Sequence, residues 1–115
     1  MKKWEGTSLQ EKERQGIEEA TKSLKASYPI DTVILFGSKA RGDWDPHSDV
    51  DLLLITSRRL HWKEEKAIVE ELFEIGMRYD VIFSPLFVSS DEWKGELFKE
   101  FPIYKNIMKE GATVA

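Results

Sequence analysis

The stretch from Leu35 to Ile55, "LFGSKARGDWDPHSDVDLLLI", does most to limit what this chain can fold into. Two apolar runs, Asp31–Phe36 ("DTVILF") and Asp49–Ile55 ("DVDLLLI"), have the composition of buried strands. Between them, residues Gly37 to Ser48 contain the Gly, Asp, Pro and Ser that punctuate loops. A strand, a polar loop and a second strand are therefore the expected centre of the molecule. The second strand begins with Asp49 and Asp51, whose spacing sends both side chains to one face. Carboxylates on a buried strand are unfavourable unless something cationic offsets their desolvation.

The flanking segments read as helices and one more strand region. Ser8-Leu9-Gln10-Glu11 has the form of a capping box, and Ile17, Ala20, Leu24 and Tyr28 then recur at helical spacing until Pro29. Ala67, Ile68, Glu71, Leu72 and Ile75 mark an amphipathic helix over roughly Trp62 to Gly76. "YDVIFSPLFV" reads as a third strand region interrupted by Pro85, with Asp80 at its start. Ser89-Ser90-Asp91-Glu92 opens a helix expected to run to about Glu100, and a last helix follows Pro102 and stops at Gly111, a candidate C′ glycine. The order α-β-loop-β-α-β-(β)-α-α predicts an α/β (α+β) fold. It would be a single domain over residues 1–115, a small mixed sheet with helices packed mainly on one face.

Composition removes several functions. Without cysteine there are no disulfides, thiolate metal sites or cysteine nucleophiles. A net charge of −4 argues against broad nucleic-acid binding, which favours basic domains. No apolar stretch is long enough for a membrane span, and the N-terminal residues lack a signal-peptide core. A soluble, cytoplasmic protein with no membrane partner is expected.

The chemistry-bearing residues gather around the central loop. Two carboxylates one strand period apart repel, and a hard divalent cation such as Mg²⁺ or Mn²⁺ turns that repulsion into coordination. An Asp-x-Asp pair alone reads equally well as two surface acids at the start of a strand. An EF-hand is excluded: counted from Asp43, its glycine position holds Ser48 and its glutamate position Leu54. Gly37 follows the first strand directly, where a glycine lets backbone N–H groups approach a phosphate, and Ser38 adds a hydroxyl. Neither a Walker loop nor a G-x-G-x-x-G turn is present.

Gly37-Ser38, ten intervening residues and then Asp49-Val50-Asp51 resemble the signature of the polymerase-β-like nucleotidyltransferases. The fuller string "GSKARGDWDPHSDVDLLL" is similar to their minimal, single-domain MntA-type branch. The resemblance implies the polymerase-β-like fold, with Gly37 and Ser38 holding the triphosphate of ATP and Asp49 and Asp51 binding two Mg²⁺ ions. It also implies a third carboxylate on a neighbouring strand. Asp80, in "RYDVIF", is the acid expected there as metal ligand and candidate base, although alone it reads as a strand-edge charge. Arg41 is expected to add charge to the phosphates, whereas Lys39 divides evenly between that role and a solvated loop. Trp44 reads as a base-stacking or core-edge aromatic, and His47 as a turn residue before a metal contact. The implied reaction is Mg²⁺-dependent transfer of AMP from ATP to a hydroxyl, a tyrosine of a HEPN-domain toxin. The chain would then be the antitoxin and form a hetero-oligomer with that helical partner. Two alternatives stand beside this reading: transfer to a small-molecule hydroxyl such as an aminoglycoside, or a non-catalytic module that neutralises a partner by covering it.

Overall fold

The computed structural model describes residues 1–43, 45 and 47–115, so the stacking role considered for Trp44 lies outside the described residues. In chain order the elements are β1 (Lys2–Lys3), α1 (Glu11–Ser27), β2 (Ile30–Phe36), α2 (Gly37–Arg41), β3 (Val50–Thr56) and α3 (Trp62–Tyr79), followed by β4 (Phe83–Ser89), α4 (Ser90–Lys94), α5 (Glu96–Lys99), α6 (Pro102–Glu110) and β5 (Ala112–Thr113). The strands form one mixed sheet in the order β1-β5-β2-β3-β4. β2 runs antiparallel to β3 and to β5, whereas β3 and β4 are parallel. Parallel neighbours need a crossover, and α3 supplies it.

Strand alternation divides the core between the two faces of the sheet. Val50, Leu52 and Leu54 pack with Val33 and Leu35 against Ile17, Ala20 and Leu24 of α1 and Ile68, Leu72 and Ile75 of α3. Leu53 and Ile55 point the other way and join Ile34, Val88 and Ile107 of α6. The two long helices thus cover one face, as the sequence predicts, while the short C-terminal helices cover part of the other. Asp51 belongs to the Leu53 face, because successive strand residues alternate. Its backbone partner across the antiparallel ladder is Phe36, the residue before Gly37.

Several local expectations change. α1 starts at Glu11, and its capping box pairs Gln10 with Glu13 rather than Ser8 with Glu11. α3 continues to Tyr79, beyond the expected Gly76. Ser89 and Glu92 do form a capping box, but Gly95 splits the following helix into α4 and α5. Pro85 does not interrupt β4. Val50 donates its N–H to the Ile82 carbonyl at 2.8 Å, which turns the even-numbered residues of β4 toward β3. Pro85 therefore faces the open edge, where its missing N–H leaves no ladder bond unmade. Gly111 ends α6 with φ −67°, not in the left-handed form. A Cβ there would stand 2.5 Å from the Ile107 carbonyl oxygen, so close packing is what excludes a side chain. Among the described residues no helix is long and apolar enough to cross a membrane.

Candidate active site

Gly37 opens α2 with φ +74°, a left-handed conformation that disfavours any side chain. A Cβ built there would overlap Asp51 Oδ2 and lie 3.1 Å from Asp51 Cγ. The glycine therefore lets the first turn of α2 close onto the carboxylate of β3. No side chain caps this turn at Phe36. Ser38 is half-buried in the same turn, and its hydroxyl makes no hydrogen bond among the described residues.

Asp51 is partly buried, and its carboxyl is pushed above the usual range. Burial is the largest cause, followed by the negative charge of Asp49; Glu110 adds to it, while Arg41 and a hydrogen bond from Ser84 pull the other way. Asp49, one residue before β3, is exposed. The two aspartates thus differ: one is solvated, and the other is crowded between α2 and β4.

Asp80 is not where the sequence led us to expect it. It is the C-cap of α3, in the left-handed conformation (φ 56°), and not the first residue of a strand. Its side chain is 94% exposed and pairs with Lys12 at 3.0 Å. Asp51 has Ser84 as its register partner on β4, and β4 begins only at Phe83. Because α3 and α1 pack on the face opposite Asp51, the cap of α3 is carried away from that carboxylate. The structure brings Gly37, Ser38, Asp49, Asp51 and Arg41 to one end of the sheet; Asp80 lines a neighbouring pocket with His47 and Ser48 and does not gather with the two aspartates into a metal cluster among the described residues.

Arg41 ends α2 and is held by two acids. Its Nε donates to Asp43 Oδ2 at 3.0 Å, and Nη1 donates to both carboxylate oxygens of Glu110 at 3.2 Å. Lys39 points the other way. Its Nζ lies 2.6 Å from Glu13 Oε2, both side chains are 7% exposed, and it also donates to the Asp45 carbonyl at 3.0 Å. A buried pair of this kind holds the loop to α1, which removes Lys39 from the set of phosphate ligands. Breaking it leaves an uncompensated buried charge, so Glu13→Ala is expected to lower stability by about 3–5 kcal/mol. Chemical denaturation measures this directly, and a loss under 1 kcal/mol would show the pair to be solvated. His47 is exposed in the loop, its backbone N–H donating to Asp45 Oδ1 at 2.9 Å, as the turn reading predicts.

Do these residues fit Mg²⁺? Among the described residues, no three His, Cys, Asp or Glu side chains gather as a metal cluster. Asp49 and Asp51 do offer hard oxygen donors whose mutual repulsion a divalent cation offsets. Mg²⁺ is commonly held by one or two carboxylates plus the phosphates of a substrate. The pair fits a nucleotide-borne cation and does not form a closed protein cage. Sequence reasoning missed two neighbours of this site. Ser84 was legible from the phase of β4, whereas Glu110 gave no signal in periodicity or motif.

Residues 17–111 match the family described as "Nucleotidyltransferase domain". The chain belongs to that family. Two Methanocaldococcus jannaschii proteins, whose names propose them as protein adenylyltransferases, are similar to it. One is 42% identical over 57 residues, half of this chain and 58% of the relative, so that match takes in less than two thirds of the other protein. The second is 27% identical over 104 residues, 89% of this chain and 97% of the relative. Among solved structures, a toxin–antitoxin complex with AMP-PNP aligns with a TM-score of 0.59 at 14% identity, over 86% of this chain and 69% of that one. A complex of tri-AMPylated Shewanella oneidensis HEPN toxin with MNT antitoxin aligns with a TM-score of 0.57 at 13% identity, over 87% and 69%. At these identities the likeness shows the fold alone.

Proposed function

We propose that this chain, acting as a single cytoplasmic domain over residues 1–115, transfers AMP from ATP to a hydroxyl of a partner protein. The observation that carries the reading is the closure of the Gly37-Ser38 turn onto Asp51. It sets backbone N–H groups that no side chain caps, and a serine hydroxyl without a hydrogen bond among the described residues, beside Asp51. Phosphates accept from such groups, and Asp49 and Asp51 would hold the divalent cations that accompany a triphosphate. When bound, those cations supply charge neutralisation at the phosphates and acidify the acceptor hydroxyl. The two Mg²⁺ ions that the family resemblance implies would rely on Asp49, Asp51 and substrate phosphates, since Asp80 does not gather with the pair among the described residues. Ser38 orients the phosphates by donating its hydroxyl, and Arg41 adds charge at the same end of the sheet.

The names of the relatives support a protein acceptor, and the HEPN toxin of a structural neighbour supports the kind of partner. The surface offers a place for one. Val69, Phe73 and Met77 recur every fourth residue along α3 and, with Ile82 and Phe83, line an apolar groove of about 470 Å³. Phe73, Met77 and Ile82 are exposed, an arrangement typical of interaction sites. Phe73→Glu is therefore expected to abolish co-elution with a HEPN-domain partner and to leave the melting temperature within about 2 °C of wild type. Undiminished co-elution would move the interface elsewhere. The enzymatic reading itself is tested by incubating the protein with Mg²⁺, ATP and the partner, then weighing the partner. A gain of one or more AMP units, absent with Asp51→Asn, is the expected outcome; no gain would reject it.

A further inference from the structure

One of the two acids on Arg41 comes from an unexpected place, the end of the last helix. Glu110 is 69 residues away from Arg41 in sequence, yet its carboxylate receives Arg41 Nη1 through both oxygens at 3.2 Å. The Glu110 side chain is 18% exposed, far less than the 65% of Asp43, the other acid on this guanidinium. Its location is fixed on both sides. Ile107, three residues earlier, is buried in the core face that holds Leu53, and Ala112, two residues later, pairs with Leu35 of β2. Glu110 is thus a fixed acceptor, and Arg41, the more exposed of the two at 46%, is oriented by it. With Nε and Nη1 engaged, Nη2 makes no hydrogen bond among the described residues. An arginine held at two nitrogens beside Asp51, with no partner for its third nitrogen among the described residues, is oriented before any ligand arrives.

We propose that Glu110 is a positioning residue that aims Arg41 at the phosphates of the bound nucleotide. The proposal rests on the nucleotide-binding reading of the Gly37-Ser38 turn and goes beyond it by assigning a role to α6. It runs against simple electrostatics, and that makes it testable. Glu110 is an anion near the binding site of an anion, so deleting its charge should tighten nucleotide binding if repulsion were its main effect. If orientation of Arg41 dominates, deletion weakens binding instead.

The test is titration calorimetry with AMP-PNP at saturating Mg²⁺ on wild type, Glu110→Ala, Arg41→Ala and the double variant, each with its melting temperature. Glu110→Ala is expected to weaken AMP-PNP about tenfold, the scale of losing one well-oriented charged hydrogen bond. Glu110→Gln, which keeps an acceptor oxygen, should recover part of that loss. In the Arg41→Ala background, Glu110→Ala should change the affinity less than twofold, because its effect passes through the guanidinium. Equal or tighter binding by Glu110→Ala in the wild-type background would overturn the proposal. So would a tenfold loss that persists without Arg41, since that result would assign Glu110 a structural or direct role. Wild type failing to bind AMP-PNP would overturn both this proposal and the reading beneath it, and is distinct from the other outcomes.

Discussion

Asp51→Asn is expected to abolish nucleotide transfer and to raise the melting temperature of the protein. The two effects share one cause. In the folded chain the Asp51 carboxyl is pushed above the usual carboxylate range by burial and by the charges of Asp49 and Glu110. The folded state then holds its proton more tightly than the unfolded state, so the ionised side chain opposes folding at neutral pH. That opposition is present above the raised value and disappears as pH falls through it. The stability gap between variant and wild type should therefore be widest near pH 7 and close on acidification. Asn keeps the shape and can still accept from Ser84, which separates the charge from the packing. A thermal melt series from pH 7 to pH 4 checks this, and a variant less stable than wild type at pH 7 would contradict it. Saturating Mg²⁺ with ATP should raise the wild-type melting temperature and leave the variant's nearly unchanged.

Gly37→Val is expected to damage both folding and nucleotide binding, more than any other change in the loop. A branched side chain at φ +74° is a strained conformation, which costs about 1–3 kcal/mol. Beyond that, the new Cβ occupies the place of Asp51 Oδ2, so either α2 or the carboxylate must move. Combining Gly37→Ala with Asp51→Ala separates the two contributions. The overlap is relieved and part of the stability of Gly37→Ala returns, while the strain and the loss of transfer remain. Binding of AMP-PNP to Gly37→Val within twofold of wild type would mean the turn serves only the fold.

Much of the fold was legible because its main elements carry strong periodic signals. The apolar faces of α1 and α3 and the runs of β2 and β3 place the sheet and its main helical cover. The two-residue strands β1 and β5 are too short to leave such a pattern, and their pairing depends on where the chain ends meet. Asp80 was misplaced for a specific physical reason. "YDVIF" has strand composition, but α3 retains its register through Tyr79, and an aspartate tolerates the left-handed cap that stops it. The ladder to β3 then begins three residues later, and Ser84 takes the position beside Asp51. Within the candidate site, Gly37, Ser38, Asp49 and Asp51 were singled out by their resemblance to a family signature, and one loop and one strand bring them to the same end of the sheet. The grip of Glu110 on Arg41 was not legible, because nothing local links residues 69 positions apart.

The central claim is that the Gly37–Asp51 cradle transfers the α-phosphorus of ATP with its nucleoside. The most direct measurement is incubation with ATP labelled in either the α- or the γ-phosphate, using wild type and Asp51→Asn with a HEPN-domain acceptor. The expected products are acceptor labelled only from the α-position and γ-label released as pyrophosphate, with neither formed by Asp51→Asn. Label reaching the acceptor from the γ-position, or equal α-labelling by wild type and Asp51→Asn, would contradict it.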